Sequence, residues 1–292
     1  MEGALDCLET VNDPGQPGRA GDDRFGYDLG AGTAWVLDGA SDVSDLRPFP
    51  QAESGAAWIA ETLSARLLTA PAPGQGAGAY FTAVLEDVRA AAARESAIAL
   101  DALPGEAAPI AAGIWMQMTG PGRAQVCWLG DCMAIISGRP GEAELIGTPE
   151  KAEDETQAAR TLLAMSPEDR LEALRAARRA QNTPGRAIFG LDPGAAGHLE
   201  RREVRLDTGA DILLMSDGFF RLVSPYREMT PAGLIDTVRE HGLIGALQRL
   251  RALAAPRMMG FAVTRGPGRL RAAARMFAGA GFSPRYIARR SP

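Results

Sequence analysis

The residues best suited to chemistry in this chain are aspartates, and they recur in one setting. Asp22-Asp23 precede Phe25-Gly26-Tyr27, and Asp38-Gly39 close Trp35-Val36-Leu37. Gly130-Asp131 close Val126-Cys127-Trp128-Leu129, and Asp217-Gly218 close Ile212-Leu213-Leu214-Met215-Ser216. Each site borders an apolar run of strand character with glycine close by. A carboxylate at a strand end is held by a rigid scaffold yet reaches solvent, and the nearby glycine lets backbone or ligand approach. Several such carboxylates in one place repel unless a cation neutralises them. Carboxylates, a backbone carbonyl and waters suit Mg2+ or Mn2+. A single Asp-Gly at a strand end is most simply a turn. The repetition after apolar strands carries the metal reading, and Asp131 is its weakest member.

Other chemistries are poorly served. Cys7, Cys127 and Cys132 include no Cys-x-x-Cys spacing, and His198 and His241 lie far apart, so a thiolate or imidazole zinc cage is not expected. Three cysteines also rule out a disulfide scaffold, and a cytoplasmic location is expected. No apolar run approaches the ~20 residues that span a bilayer.

The elements that would position the aspartates follow from periodicity. Phe25–Leu29 and Thr33–Asp38 read as a hairpin around Gly30-Ala31-Gly32. Glu53–Thr69 and Tyr80–Leu100 have helical spacing of apolar residues, separated by a Pro/Gly stretch. Ile110–Met118, Ala124–Leu129 and Met133–Ser137 read as three consecutive antiparallel strands. Ser166-Pro167-Glu168-Asp169 is a helix start: a capping serine, proline at the first position, then acids near the positive end of the helix dipole. Leu199–Leu206 and Ile212–Ser216 are further strands, and a helix from Thr230-Pro231 to about His241 continues through Ile244–Leu253. This order is α+β rather than alternating βα units.

The charge is uneven. Of 292 residues, 36 are Asp or Glu and every one lies at or before Glu240. Residues 241–292 hold ten arginines and no acid. The acidic body argues against a nucleic-acid ligand. The break marks a tail, expected at residues 256–292 as an atypical, non-native or disordered segment after a domain at 1–255. Within it, Gly268–Gly279 has the spacing of a basic amphipathic helix, although a solvated tail is the simpler reading.

Four of these motifs, in order, resemble the metal-dependent (type 2C) serine/threonine protein phosphatases over roughly residues 1–240. Arg19 with Asp22-Asp23 is similar to that family's arginine and acidic pair. Ala34-Trp35-Val36-Leu37-Asp38-Gly39-Ala40 is similar to its strand ending in Asp-Gly. Trp128-Leu129-Gly130-Asp131-Cys132 resembles its Gly-Asp-Ser turn, and Leu214-Met215-Ser216-Asp217-Gly218-Phe219-Phe220 its Ser-Asp-Gly element.

The resemblance implies a two-sheet antiparallel β-sandwich flanked by helices on both faces (α-β-β-α). It also implies a centre of two Mg2+ or Mn2+ ions. Asp38 would bridge both ions and the Gly39 carbonyl would ligate one. Asp22 takes the place of an acidic ligand, Asp23 supports metal-bound water, and Asp217 binds the other ion. Asp131 sits near the site through water or an added ion. A metal-bridging hydroxide would attack the phosphorus of phosphoserine or phosphothreonine in line, with Arg19 as the phosphate clamp. A monomer acting on phosphoproteins is expected.

Three departures from the family are visible. Arg19 stands one residue closer to the acid pair. Ala40-Ser41-Asp42-Val43 replaces the stretch with the family's histidine, leaving Asp42 or Asp45 as stand-in acids. No acid after Glu240 can supply the family's last ligand, and the last core strand is expected to be missing. A pseudophosphatase that binds phosphoproteins with a weakened metal site is the alternative.

Overall fold

The computed structural model describes residues 2–13, 21–150, 158, 161–183, 185–259 and 273–280. Two five-stranded antiparallel sheets form its centre. The strands are β1 (Glu2–Val11), β2 (Arg24–Asp28), β3 (Thr33–Gly39), β4 (Ala111–Gly120) and β5 (Arg123–Leu129), then β6 (Met133–Ser137), β7 (Glu144–Ile146), β8 (Glu200–Arg205), β9 (Ala210–Met215) and β10 (Ala273–Ala280). One sheet has the order β2-β3-β4-β5-β8, the other β1-β10-β9-β6-β7. Helices α1 (Gly55–Leu67) and α2 (Ala77–Glu95) cover the first sheet. The others are α3 (Pro167–Arg179), the short α4 (Asp217–Phe220) and α5 (Pro231–Met259), which is interrupted at Gly242.

The two-residue period of the strands sorts their side chains into layers. On β3, Trp35 and Leu37 pack outward with Phe81 and Leu85 of α2 and Leu63 of α1. Ala34 and Val36 point inward, where they join Ile114, Val126, Ile136, Ile212 and Leu214 between the sheets. Met133, Ile135, Leu213 and Met215 turn the other way, against Leu234, Val238 and Leu250 of α5. The architecture is therefore α-β-β-α, as the resemblance implied.

Two expectations need correction. β4 and β5 do form a hairpin, but β6 does not continue it. At Gly130-Asp131 the chain crosses to the other sheet, where β6 pairs with β7 and β9. Gly130 has φ of 90°, a turn conformation open to glycine, and a Cβ there would come 2.5 Å from that of Ala112. Periodicity shows a strand but not its sheet.

The last strand is also present. Residues 273–280 form β10 between β1 and β9, where an atypical or disordered tail and no core strand were expected. Two strand edges demand backbone partners, and that demand overrides the local helical spacing. The boundary expected at residue 255 falls within α5.

Candidate metal-binding and active site

Ladder register gathers the aspartates at one end of the sandwich. Asp38 pairs with Ala112 and Gly39 with Ala111, at the last residues of β3 and the first of β4. Leu129 pairs with Gly113, so Gly130-Asp131 leave β5 at the same end. Arg24 pairs with Leu37, which sets Asp22-Asp23 beside the end of β3. In the second sheet Met133 pairs with Met215, so Asp131 and Asp217 stand at the same end of its strands. The crossover through Asp131 joins the sheets there, and Asn12 Nδ2 donates to the Asp23 carbonyl at 3.1 Å.

Three of these carboxylates are buried. Asp23 and Asp38 are each 3% exposed and Asp131 is 7% exposed. Asp22 and Asp217 are partly exposed. By the strand period Asp38 shares the inner face with Ala34 and Val36, where the sheets meet. Gly39 is confined: a Cβ there would come 2.5 Å from the Ala56 carbonyl oxygen and 2.6 Å from that of Asp22. Only glycine lets the three backbone segments meet this closely.

Helix α1 anchors the rim. Ser54 caps it, accepting from Ala57 N at 2.9 Å, and its hydroxyl donates to Asp22 Oδ1 at 2.5 Å. Asp42 accepts from Gly55 N at 2.8 Å and Ala56 N at 3.3 Å. Asp42 thus serves as a second cap, not as the stand-in acid, and Asp45 is exposed beside Arg175. Arg24 donates to the Gly21 and Asp23 carbonyls at 3.1 and 2.8 Å, shaping the turn that carries the acid pair. The sequence pointed to neither Ser54 nor Arg24, and it offered Asp42 as an acid rather than as a cap. Nor did it point to Asp13, a buried acid beyond the end of β1 that accepts from Arg251 Nε at 2.9 Å.

Arg19 and most of the segment 150–160 lie outside the described residues. Among the described residues, no group of three Asp, Glu, His or Cys side chains converges closely enough to enclose an ion. The donor chemistry nonetheless suits one: the rim offers carboxylate and carbonyl oxygens, the ligands of hard divalent cations. Its buried aspartates are costly unless their charge is balanced.

The protein phosphatase 2C family matches residues 16–247, and the chain belongs to that family. Among solved structures it is similar to PppA, described as a key regulatory component of T6SS in Pseudomonas aeruginosa, with 15% identity, TM-score 0.56, and coverage of 95% of this chain and 99% of that one. It is also similar to the Mycobacterium tuberculosis serine/threonine phosphatase PstP/Ppp, with 18% identity, TM-score 0.52, and coverage of 94% and 98%. The catalytic domain of PstP in complex with two manganese ions aligns with 17% identity, TM-score 0.51, and coverage of 95% and 98%. These likenesses establish the fold. No curated protein sequence matches the chain.

Proposed function

We propose that this chain is a phosphoserine/phosphothreonine phosphatase that works with two divalent cations, Mg2+ or Mn2+, at the aspartate rim. The observation that carries the reading is the gathering of Asp22, Asp23, Asp38, Asp131 and Asp217 at one end of two different sheets, three of them buried. These carboxylates and the Gly39 carbonyl would hold the cations, in keeping with the two manganese ions of PstP. When bound, such cations supply an activated water and offset negative charge on a phosphoryl group. The chain's own part is positional. Asp38 sits at the seam between the sheets, Ser54 donates to Asp22, and the close seat of Gly39 holds the end of β3 against the start of α1. Arg19 is the proposed clamp for the phosphoryl oxygens.

A second reading has a specific observation in its favour. No three-carboxylate cluster closes among the described residues, and no acid follows Glu240. A phosphoprotein-binding pseudophosphatase with a weak metal site would have these features. The test is phosphopeptide hydrolysis by the metal-stripped chain before and after Mn2+ is added, with ion stoichiometry measured in parallel. Turnover that returns with two ions per chain supports the enzyme. Phosphopeptide binding without turnover supports the alternative. Three sparse cysteines suit a reducing cytoplasm, and we take the chain to act there as a monomer.

A further inference from the structure

We infer that Arg178, on the outlying helix α3, is a positioning residue for the aspartate rim, an inference that rests on the phosphatase reading above. Helix α3 docks in an unusual way. Its leucines Leu171 and Leu174 are exposed, and its one buried residue is an arginine. The Arg178 guanidinium donates to the Ser41 carbonyl at 2.7 Å, the Ala40 carbonyl at 3.4 Å and the Ala108 carbonyl at 3.2 Å. Ala40 and Ser41 directly follow Asp38-Gly39. One turn earlier, Arg175 Nε donates to the Val43 carbonyl at 2.9 Å. Two arginines of one helix thus grip the backbone that leaves the proposed ligands.

The contact continues beyond that backbone. Asp42 lies between the gripped carbonyls and accepts from the first N–H groups of α1. The cap of that helix, Ser54, donates to Asp22. A hydrogen-bonded path therefore runs from Arg178 through residues 40–42 and the start of α1 to Asp22, while Gly39 touches the same helix start. A planar guanidinium with five donors can span three carbonyls; a lysine ammonium at that position cannot match the fork. Beside Arg178 lies a cavity of about 270 Å3, bordered by Arg179, Ala108, Ile110 and Asn182. The seat of α3 is thus set by polar contacts rather than by close packing. Seating of α3 and cation binding at the rim should each favour the other by the same factor.

The experiment compares the full-length wild type with Arg178→Ala, Arg178→Lys, Asp42→Asn and the double variant Arg178→Ala/Asp42→Asn. It measures Mn2+ affinity of the metal-stripped protein by calorimetry and amide exchange at residues 40–43 and 55–57. The expected result is a loss of about tenfold in Mn2+ affinity for Arg178→Ala, as for removal of groups that orient metal ligands. Exchange should be faster in both segments, Arg178→Lys should recover little, and the double variant should bind Mn2+ no more weakly than Asp42→Asn. A variant that only melts earlier, with wild-type affinity and wild-type exchange at 55–57, overturns the inference. If Arg178→Ala does not fold, Arg178→Lys and Arg175→Ala carry the same two readouts. If the wild type binds no Mn2+, the phosphatase reading fails, and exchange at 55–57 alone decides for or against the coupling.

Discussion

Met133 and Met215 are direct neighbours across the β6–β9 ladder, and each stands two residues from a proposed metal ligand. Asp131 precedes the first and Asp217 follows the second. Because Asp131 also ends the crossover from β5, this one pairing ties the carboxylates of the two sheets to one end of the sandwich.

Asp38 should tolerate loss of charge but not of function. Asp38→Asn keeps the shape of a buried side chain at the seam, so the variant should fold. Its Mn2+-dependent phosphopeptide turnover should fall by ~100-fold or more. Steady-state kinetics with circular dichroism as a fold check would show this, and wild-type turnover in the variant would refute the assignment.

Ser54 has two roles that one substitution removes together. Ser54→Ala loses the cap on α1 and the bond to Asp22. Thermal unfolding should show a loss of about 1 kcal/mol, the usual cost of a missing cap. Mn2+ titration should show weaker binding as well, whereas a plain cap would change stability alone.

Gly39→Ala tests the close seat of the β3 end. The added methyl meets two backbone oxygens, neither of which can swing aside. Destabilisation of about 1–3 kcal/mol is expected from such overpacking, read as a shift of the denaturant midpoint. An unchanged midpoint would show that the strand end is looser than described.

Arg239 provides the opposite control, at the far end of the second sheet. It donates to Asp211 at 2.6 Å, Asp236 at 2.7 Å and Ser137 Oγ at 2.7 Å. Arg239→Met should cost about 2 kcal/mol of stability and leave Mn2+ affinity and kcat as in the wild type. Loss of metal binding in this variant would mean that the two ends are coupled.

Cys127 sets a limit at high pH. Burial raises its pKa to about 12, with Arg201 lowering it and Glu203 raising it by smaller amounts. The folded state therefore keeps the thiol proton while the unfolded chain loses it above about pH 9. Stability falls as pH rises from about 9 to about 12. Cys127→Ala should flatten that part of a stability–pH curve, and the native thiol should resist alkylation at pH 8.

Much of this was legible in the residues because short-range rules act alone there. The hairpin of β2 and β3, the capped start of α3 at Ser166 and the pause in α5 near His241 follow from spacing, capping and turn residues. Tertiary pairing hid the rest. β10 has helical spacing and became a strand because two edges needed it, and β6 left its apparent hairpin to join another sheet. At the site, the strand-end aspartates announced themselves, but Ser54, Arg178 and the capping role of Asp42 did not. Each of these residues looks like an ordinary cap or surface residue until a partner 13 to 137 positions away is known.

The placement of β10 also bears on how the molecule comes together during synthesis. Among the described residues, β1 has β10 as its sole hydrogen-bonded neighbour in the sheet. During synthesis β1 therefore gains this sheet partner only after residues 273–280 have emerged. A nascent chain halted before residue 273 would carry two unzipped backbone edges, β1 and β9, and would be prone to associate with other copies through them.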